Sequence, residues 1–267
     1  MSDERRITAG IEYFGQNFQG WQRQATGPTI QQIVEKALSR VADAPIQVVC
    51  AGRTDAGVHA RQQVIHFDTT VERKSRAWVL GGNVNLPGQI SILWAMEAGA
   101  GFHARFSALE RSYQYIVLNR AARPGLLAGR VTWECRPLDE RLMQAAAQCL
   151  KGEHDFSAFR AVHCQARNPV RTVNFLEIHR HGVFLILDIR ANGFLHHMVR
   201  NIAGVLMAIG RGEKPVSWAQ SVLDSRQREQ GGITAPSSGL YLSGVRYAPE
   251  FGIPEFDPGS WPGLANA

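Results

Sequence analysis

Lysine is nearly missing from this chain: of its 29 basic residues, 4 are Lys and 25 are Arg. Arginine offers a rigid fork of donors that meets phosphates and base edges at two points, where an ammonium is a single point charge. With a formal charge of +6, the bias favours a polyanionic partner, set against codon bias as the plain alternative. Cysteine is also sparse. The residues at 50, 135, 149 and 164 form neither a disulfide ladder nor a Cys-x-x-Cys pair, which argues against structural zinc and for free thiols in a reducing compartment. No apolar run is long enough to cross a bilayer, and the charged start Met1-Ser2-Asp3-Glu4-Arg5-Arg6 lacks a signal-peptide stretch. A cytoplasmic protein with no membrane contact is expected.

Several catalytic signatures are absent as well. There is no Walker A lysine loop, no Gly-x-Ser-x-Gly elbow and no His-Glu-x-x-His pair. The segment Gly99-Ala100-Gly101-Phe102-His103-Ala104 fits a loose dinucleotide pattern, but a strand near Ser112 follows it where a phosphate-binding helix is needed. Neighbouring His196 and His197 suit one metal poorly from adjacent helix positions, so no metal is expected.

What is present has an order. Ile7, Ala9, Ile11 and Tyr13 alternate as in a half-buried strand. Thr29 and Gln32 have capping-box spacing ahead of a helix carrying Ile30, Ile33, Val34, Ala37, Leu38 and Val41 on one face. Strands at 47–51 and 63–68, a helix after Ser75 and a strand at 89–96 complete the first half. The second half repeats this order: a strand at 112–118, a helix capped by Asp139, a hairpin turning at His181-Gly182, a helix from Met198 to Ile209 and a strand at 240–247, with an extra helix after Ser217. Each half reads β-α-β-β-α-β, the ferredoxin-like order. The expected fold is therefore α+β: two ferredoxin-like halves, 1–108 and 109–248, with sheets side by side and helices on one face. A Pro-rich tail, 249–267, is expected to be extended or disordered.

The loop Gly52-Arg53-Thr54-Asp55-Ala56-Gly57-Val58-His59 packs a carboxylate, a cation and two glycines into a turn between strands. On local chemistry alone, Asp55 reads most simply as a turn residue capping backbone amides. The segment resembles the catalytic motif of the tRNA pseudouridine synthase A family. Five further segments resemble that family in the same order: Gly20-Trp21-Gln22-Arg23-Gln24, Phe102-His103-Ala104-Arg105-Phe106-Ser107-Ala108, Arg111-Ser112-Tyr113-Gln114-Tyr115, Phe194-Leu195-His196-His197-Met198-Val199-Arg200-Asn201 and Ala235-Pro236-Ser237-Ser238-Gly239-Leu240. Together they cover about residues 7–247. One departure is Phe14, where family members commonly carry Asp.

The resemblance implies an isomerase that detaches uracil from its ribose, turns it and rejoins it through carbon 5, without cofactor. It assigns Asp55 as nucleophile, Arg200 as the cation paired with it, and Tyr113 as the ring that stacks on and orients the target base. Leu240 becomes an apolar wall of the site and Arg53 the base-flipping residue. Two strips, Phe102, His103, Ala104, Arg105, Phe106 and His163, Cys164, Gln165, Ala166, Arg167, are implied to contact RNA. The implied substrate is the tRNA anticodon stem-loop at positions 38, 39 and 40, and the implied assembly a homodimer. On the residues alone, the helix bearing Arg200 turns its Arg200, Ala203 and Met207 side toward other protein. A non-catalytic RNA-binding module is the main alternative, and a small-molecule lyase or isomerase using Asp55 as base is the second.

Overall fold

A computed structural model describes residues 4–99, 101–162 and 164–255. The first elements are β1 (Arg5–Tyr13), α1 (Ile30–Ala42), β2 (Val49–Cys50), β3 (His59–Thr69), α2 (Ser75–Asn85) and β4 (Ile90–Ala98). They are followed by β5 (Ala108–Asn119), β6 (Thr132–Glu134), α3 (Glu140–Ala147), β7 (Gly152–Asp155), β8 (Val170–His181) and β9 (Phe184–Ala191). The last are α4 (Met198–Gly210), α5 (Trp218–Ser225) and β10 (Leu240–Tyr247). The chain is an α+β protein.

Two compact units account for these elements. One holds the described residues up to Leu109 together with those from Leu242 onward; the other is Glu110–Tyr241. In the first, the strand order is β4-β1-β3-β10, with β2 also paired to β3. β1 is antiparallel to both β3 and β4. Its alternation suggests one wet face, yet Thr8 is as buried as Ile11. The Thr8 hydroxyl meets that burial by donating to the Ile65 carbonyl at 2.9 Å. Ile30, Val34 and Leu38 of α1 are fully buried, and Phe67 of β3 meets Trp78 of α2 edge-on at 5.1 Å. Each such side chain contributes about 1.5–3 kcal/mol on leaving water.

The capping box expected at Thr29 is not formed. Thr29 makes no side-chain cap bond, and its buried hydroxyl has no partner. The first helical amides are taken instead by carbonyls from a preceding loop, Ile30 N–H by Gly20 at 3.1 Å and Gln31 N–H by Trp21 at 3.0 Å. Tertiary backbone contact has replaced the local cap.

In the second unit the order is β5-β9-β8-β7 with β6 parallel to β5. The hairpin turns at Gly182-Val183, with His181 opposite Phe184. Asp139 does cap α3, accepting from Arg141 N–H at 2.8 Å and Leu142 N–H at 3.1 Å. The short strand β6 is tied to the end of α4 through Glu134, which binds Arg136 and Arg211. Burial pushes the Glu134 carboxyl up, but the Arg136 bonds and the Arg211 charge bring it below its ordinary value.

Candidate active site

The loop carrying Asp55 is fixed at its start, middle and end, mostly by residues distant in sequence. At its start, the Gln63 amide brackets Gly52, accepting its N–H at 3.3 Å and donating to its carbonyl at 2.5 Å. The Thr54 hydroxyl bonds the Tyr13 hydroxyl at 2.8 Å, and the Thr54 carbonyl accepts from Trp21 N–H at 3.0 Å. Val58 N–H closes a turn on the Asp55 carbonyl at 3.1 Å. At the loop's end, His59 Nδ1 accepts the Gly15 amide at 2.9 Å, and its ring stacks on Phe14 with centroids 4.9 Å apart and planes 2° apart.

Phe14, the departure from the family pattern, is thus part of this scaffold. Asp55 is half-buried and Arg53 exposed, so a rigid backbone presents a carboxylate and a guanidinium at its surface. Cys50, just before the loop, has its thiol pushed up to about 12, by burial first and against the charge of Arg53. It is no nucleophile at neutral pH.

The Gly20-Trp21 pair has a role that the sequence did not disclose. It supplies the carbonyls that cap α1 and, through Trp21 N–H, holds Thr54. Gly20 adopts φ +84° and lies so near that a Cβ there would meet the Thr54 carbonyl oxygen at 2.7 Å. Further along, Arg23 pairs with buried Glu35 of α1, which also accepts Gln31 Nε2 and the Val48 amide, each at 3.0 Å. The motif's only available signal was its matching residues, since its own contacts span ten to thirty-four positions.

In the other unit, Tyr113 on β5 is buried, edge-on to Phe194 at 5.0 Å. Tyr115, its companion in the alternation, is a core residue. Its hydroxyl bonds Thr132 Oγ1 at 2.6 Å and the Pro236 carbonyl at 2.9 Å, and burial raises its pKa. Leu240 is buried as the first residue of β10. Gly239 before it passes so close that a Cβ would meet Ile116 O and Thr132 Oγ1 at 2.6 Å, so a larger residue there would displace Leu240.

Arg200 is half-buried in the first turns of α4, with Ala203 and Met207 of the same side buried, as expected. Its Nε donates to the Ala235 carbonyl at 2.8 Å, while its own carbonyl accepts Ala235 N–H at 3.1 Å. The Ala235 carbonyl thereby holds the guanidinium, and the Ala235 amide ties the same residue to α4. Buried Asn201 extends the clamp, its Oδ1 accepting from Thr234 Oγ1 at 2.7 Å and Arg228 Nη2 at 3.0 Å.

His196 and His197 precede α4 and do not lie within it as the sequence suggested. His197 is the N-cap with φ 63°, and the two rings stand 4.1 Å apart at 47°. The first RNA strip is divided: Phe102 and Ala104 belong to the core, whereas Arg105 and Phe106 face outward, Phe106 stacked on the His103 ring at 4.3 Å. Of the second RNA strip, His163 lies outside the described residues. Cys164 N–H bonds Ala161 O at 3.0 Å, and Ala161 N–H in turn bonds His196 O at 2.8 Å. Gln165 and Arg167 are exposed and Ala166 half-buried.

The model of the family described as tRNA pseudouridine synthase matches residues 9–107 and 146–248, a span that takes in the Asp55 loop, α4 and β10. The chain belongs to the tRNA pseudouridine synthase family. Relatives named tRNA pseudouridine synthase A include one from Pseudomonas aeruginosa, 57% identical over 94% of this chain and 88% of its own. Another from Legionella pneumophila is 55% identical over 95% of this chain and 97% of its own, and one from Coxiella burnetii has the same figures. A crystal structure of a Cbf5-Nop10-Gar1 complex covers 75% of the chain and 45% of its own at 11% identity, with a TM-score of 0.35, too slight a likeness to carry an argument. Within the tRNA pseudouridine synthase family match, the segments fixing the Asp55 loop from both sides, 13–21 and 52–63, fall inside the first matched span.

Proposed function

We propose that the protein converts uridine to pseudouridine in the anticodon stem-loop of tRNA, at positions 38, 39 and 40, with Asp55 as nucleophile. The observation that carries this reading is the Asp55 loop itself, braced by Tyr13, Trp21, Gln63 and His59 in a chain of this family. Preorganisation of a charged group is what a cofactor-free rearrangement asks of a protein.

The chemistry balances without redox change. The bond from N1 of uracil to the ribose anomeric carbon breaks, a bond from carbon 5 to that carbon forms, carbon 5 gives up its proton and N1 gains one. An ionised carboxylate serves this by attacking the sugar or ring or by taking a proton from the sugar. Arg200 is the cation that pairs with Asp55, its guanidinium held by the Ala235 carbonyl. Tyr113 stacks on and orients the base, and Leu240 forms an apolar wall. A uridine in a stem must first leave the stack, at a cost of a few kcal/mol; exposed Arg53 is the residue that promotes this and fills the gap. Acting on adjacent positions favours recognition of backbone and shape over base edges, which suits the arginine surplus. We further propose a cytoplasmic homodimer that needs no cofactor.

The test is tritium release from tRNA carrying 5-tritiated uridine. Wild type is expected to release label and Asp55→Ala to release none while still binding RNA. Release by both, or by neither, removes Asp55 from its role, and binding without release by wild type would favour the RNA-binding module.

A further inference from the structure

Residues 226–236 cross from α5 toward β10 with only a short 3-10 turn, Arg228–Gly231, on the way, and the last part of this stretch lies against α4. At Gly204, one helical turn on from Arg200 and on the same face, a Cβ would stand 2.0 Å from the Ile233 carbonyl oxygen. A glycine inside a helix costs about 1 kcal/mol against alanine. Here its bare backbone lets the segment pass beside Arg200.

Burial does not hold the segment there. Gly232 is exposed and Ile233 has 86% of its surface in water, so the hydrophobic contribution is small. Hydrogen bonds hold it instead, and they converge on Arg228. Its Nη1 donates to the Gly232 carbonyl at 2.8 Å, and its Nη2 to Thr234 Oγ1 at 2.8 Å and Asn201 Oδ1 at 3.0 Å. Thr234 Oγ1 donates in turn to Asn201 Oδ1 at 2.7 Å, and Asn201 Nδ2 is anchored on the Phe159 carbonyl at 2.7 Å. On the far side of Ala235, the Pro236 carbonyl accepts the Tyr115 hydroxyl at 2.9 Å. A flat, forked guanidinium reaches acceptors on α4 and on the segment at once, which an ammonium on a flexible stem does not.

The segment so fixed carries Ala235, whose carbonyl holds Arg200 Nε. That carbonyl can be no better placed than the peptides on either side of it, and an error of about 1 Å at a reacting group costs on the order of 100-fold in rate. We propose that Arg228 is a positioning residue of the reaction. By bridging α4 to residues 232–234 it sets the Ala235 carbonyl and, through it, the direction of the Arg200 guanidinium, a role that rests on Arg200 acting in the isomerisation.

Single-turnover tritium release at saturating tRNA, with RNA affinity and urea unfolding measured alongside, tests this in full-length wild type, Arg228→Lys, Thr234→Val and Thr234→Ser. Lys keeps the charge and loses the fork, Val keeps the shape of Thr and loses the hydroxyl, and Ser keeps the hydroxyl. Arg228→Lys and Thr234→Val are expected to release label about 10- to 100-fold more slowly with RNA affinity within about twofold of wild type, and Thr234→Ser to match wild type. A purely structural role would lower the urea midpoint and leave the rate of the folded, saturated enzyme unchanged. An undiminished rate in either Arg228→Lys or Thr234→Val therefore overturns the proposal, as does Thr234→Ser as slow as Thr234→Val. If Arg228→Lys does not fold, the Thr234 pair decides; if Thr234→Val does not fold either, the network belongs to folding and the positioning role falls. Wild-type release with undiminished rates in the variants removes Arg228 alone. A wild-type rate in Arg200→Met removes Arg200 and its positioning together, and no release by wild type removes the isomerase reading and Arg228 with it.

Discussion

At Gly20 a positive φ and a carbonyl 2.7 Å from any added Cβ leave no room for a methyl group. Gly20→Ala should destabilise the protein by about 1–3 kcal/mol, read by urea unfolding, and should slow tritium release by disturbing Thr54; unchanged turnover would disconnect Gly20 from the loop. At Asn201 the argument is one of lost partners. Asn201→Leu leaves the Phe159 carbonyl and the Thr234 hydroxyl without their bonds of 2.7 Å and should cost about 1–3 kcal/mol or more. The same change loosens the Ala235 clamp, so release per bound RNA should fall; a loss of stability alone would confine Asn201 to packing. Individual residues were legible unequally. Asp55 stood out as a charge in a turn, and the role proposed for it rests on matching motifs. Gln63, Tyr13 and Trp21 were unreadable because each acts through a contact that no local pattern announces.

Among the elements, amphipathic helices and the long strands were legible, since burial of one face imposes a period. β10 has the bounds expected of it, and Asp139 caps α3 as its position suggests. Asp139→Ala should cost about 0.5–2 kcal/mol of unfolding free energy. β6 and β7, of three and four residues, are too short to show a period, and β6 depends on Glu134 meeting two arginines. The cap of α1 misled because Thr29 has the right chemistry and the wrong neighbours. The turn at 102–107 adds a pH dependence, because His66 Nδ1 accepts the Ala104 amide at 3.1 Å and must be neutral to do so. Unfolded His66 takes up a proton near pH 6.5, whereas burial and then Arg6 lower the folded value to about 4. Between those values the unfolded chain binds more protons, so stability is full above pH 6.5 and declines as pH falls toward 4, by at most about 1.4 kcal/mol per unit. His66→Asn keeps an acceptor for Ala104 N–H and does not titrate, so its melting temperature should drop less than that of wild type between pH 7.5 and pH 5. Equal drops would acquit His66.

For the whole molecule, 25 arginines and a net charge of +6 predict RNA affinity that falls steeply as salt rises, because each phosphate contact releases counterions. A flat dependence would refute electrostatic recognition. The mix of helices and strands was legible from periodicity, but the path of the last strand was not. The unit that carries Asp55 includes the chain from Leu242 onward, and β10 lies beside β3 in it. Synthesis therefore delivers the Asp55 loop early and its neighbouring strand late. While the ribosome is translating the second unit, β3 waits without the partner that β10 will become, and a chain interrupted before Leu242 leaves that edge open to other nascent chains. Full-length release is thus a condition for a finished Asp55 unit.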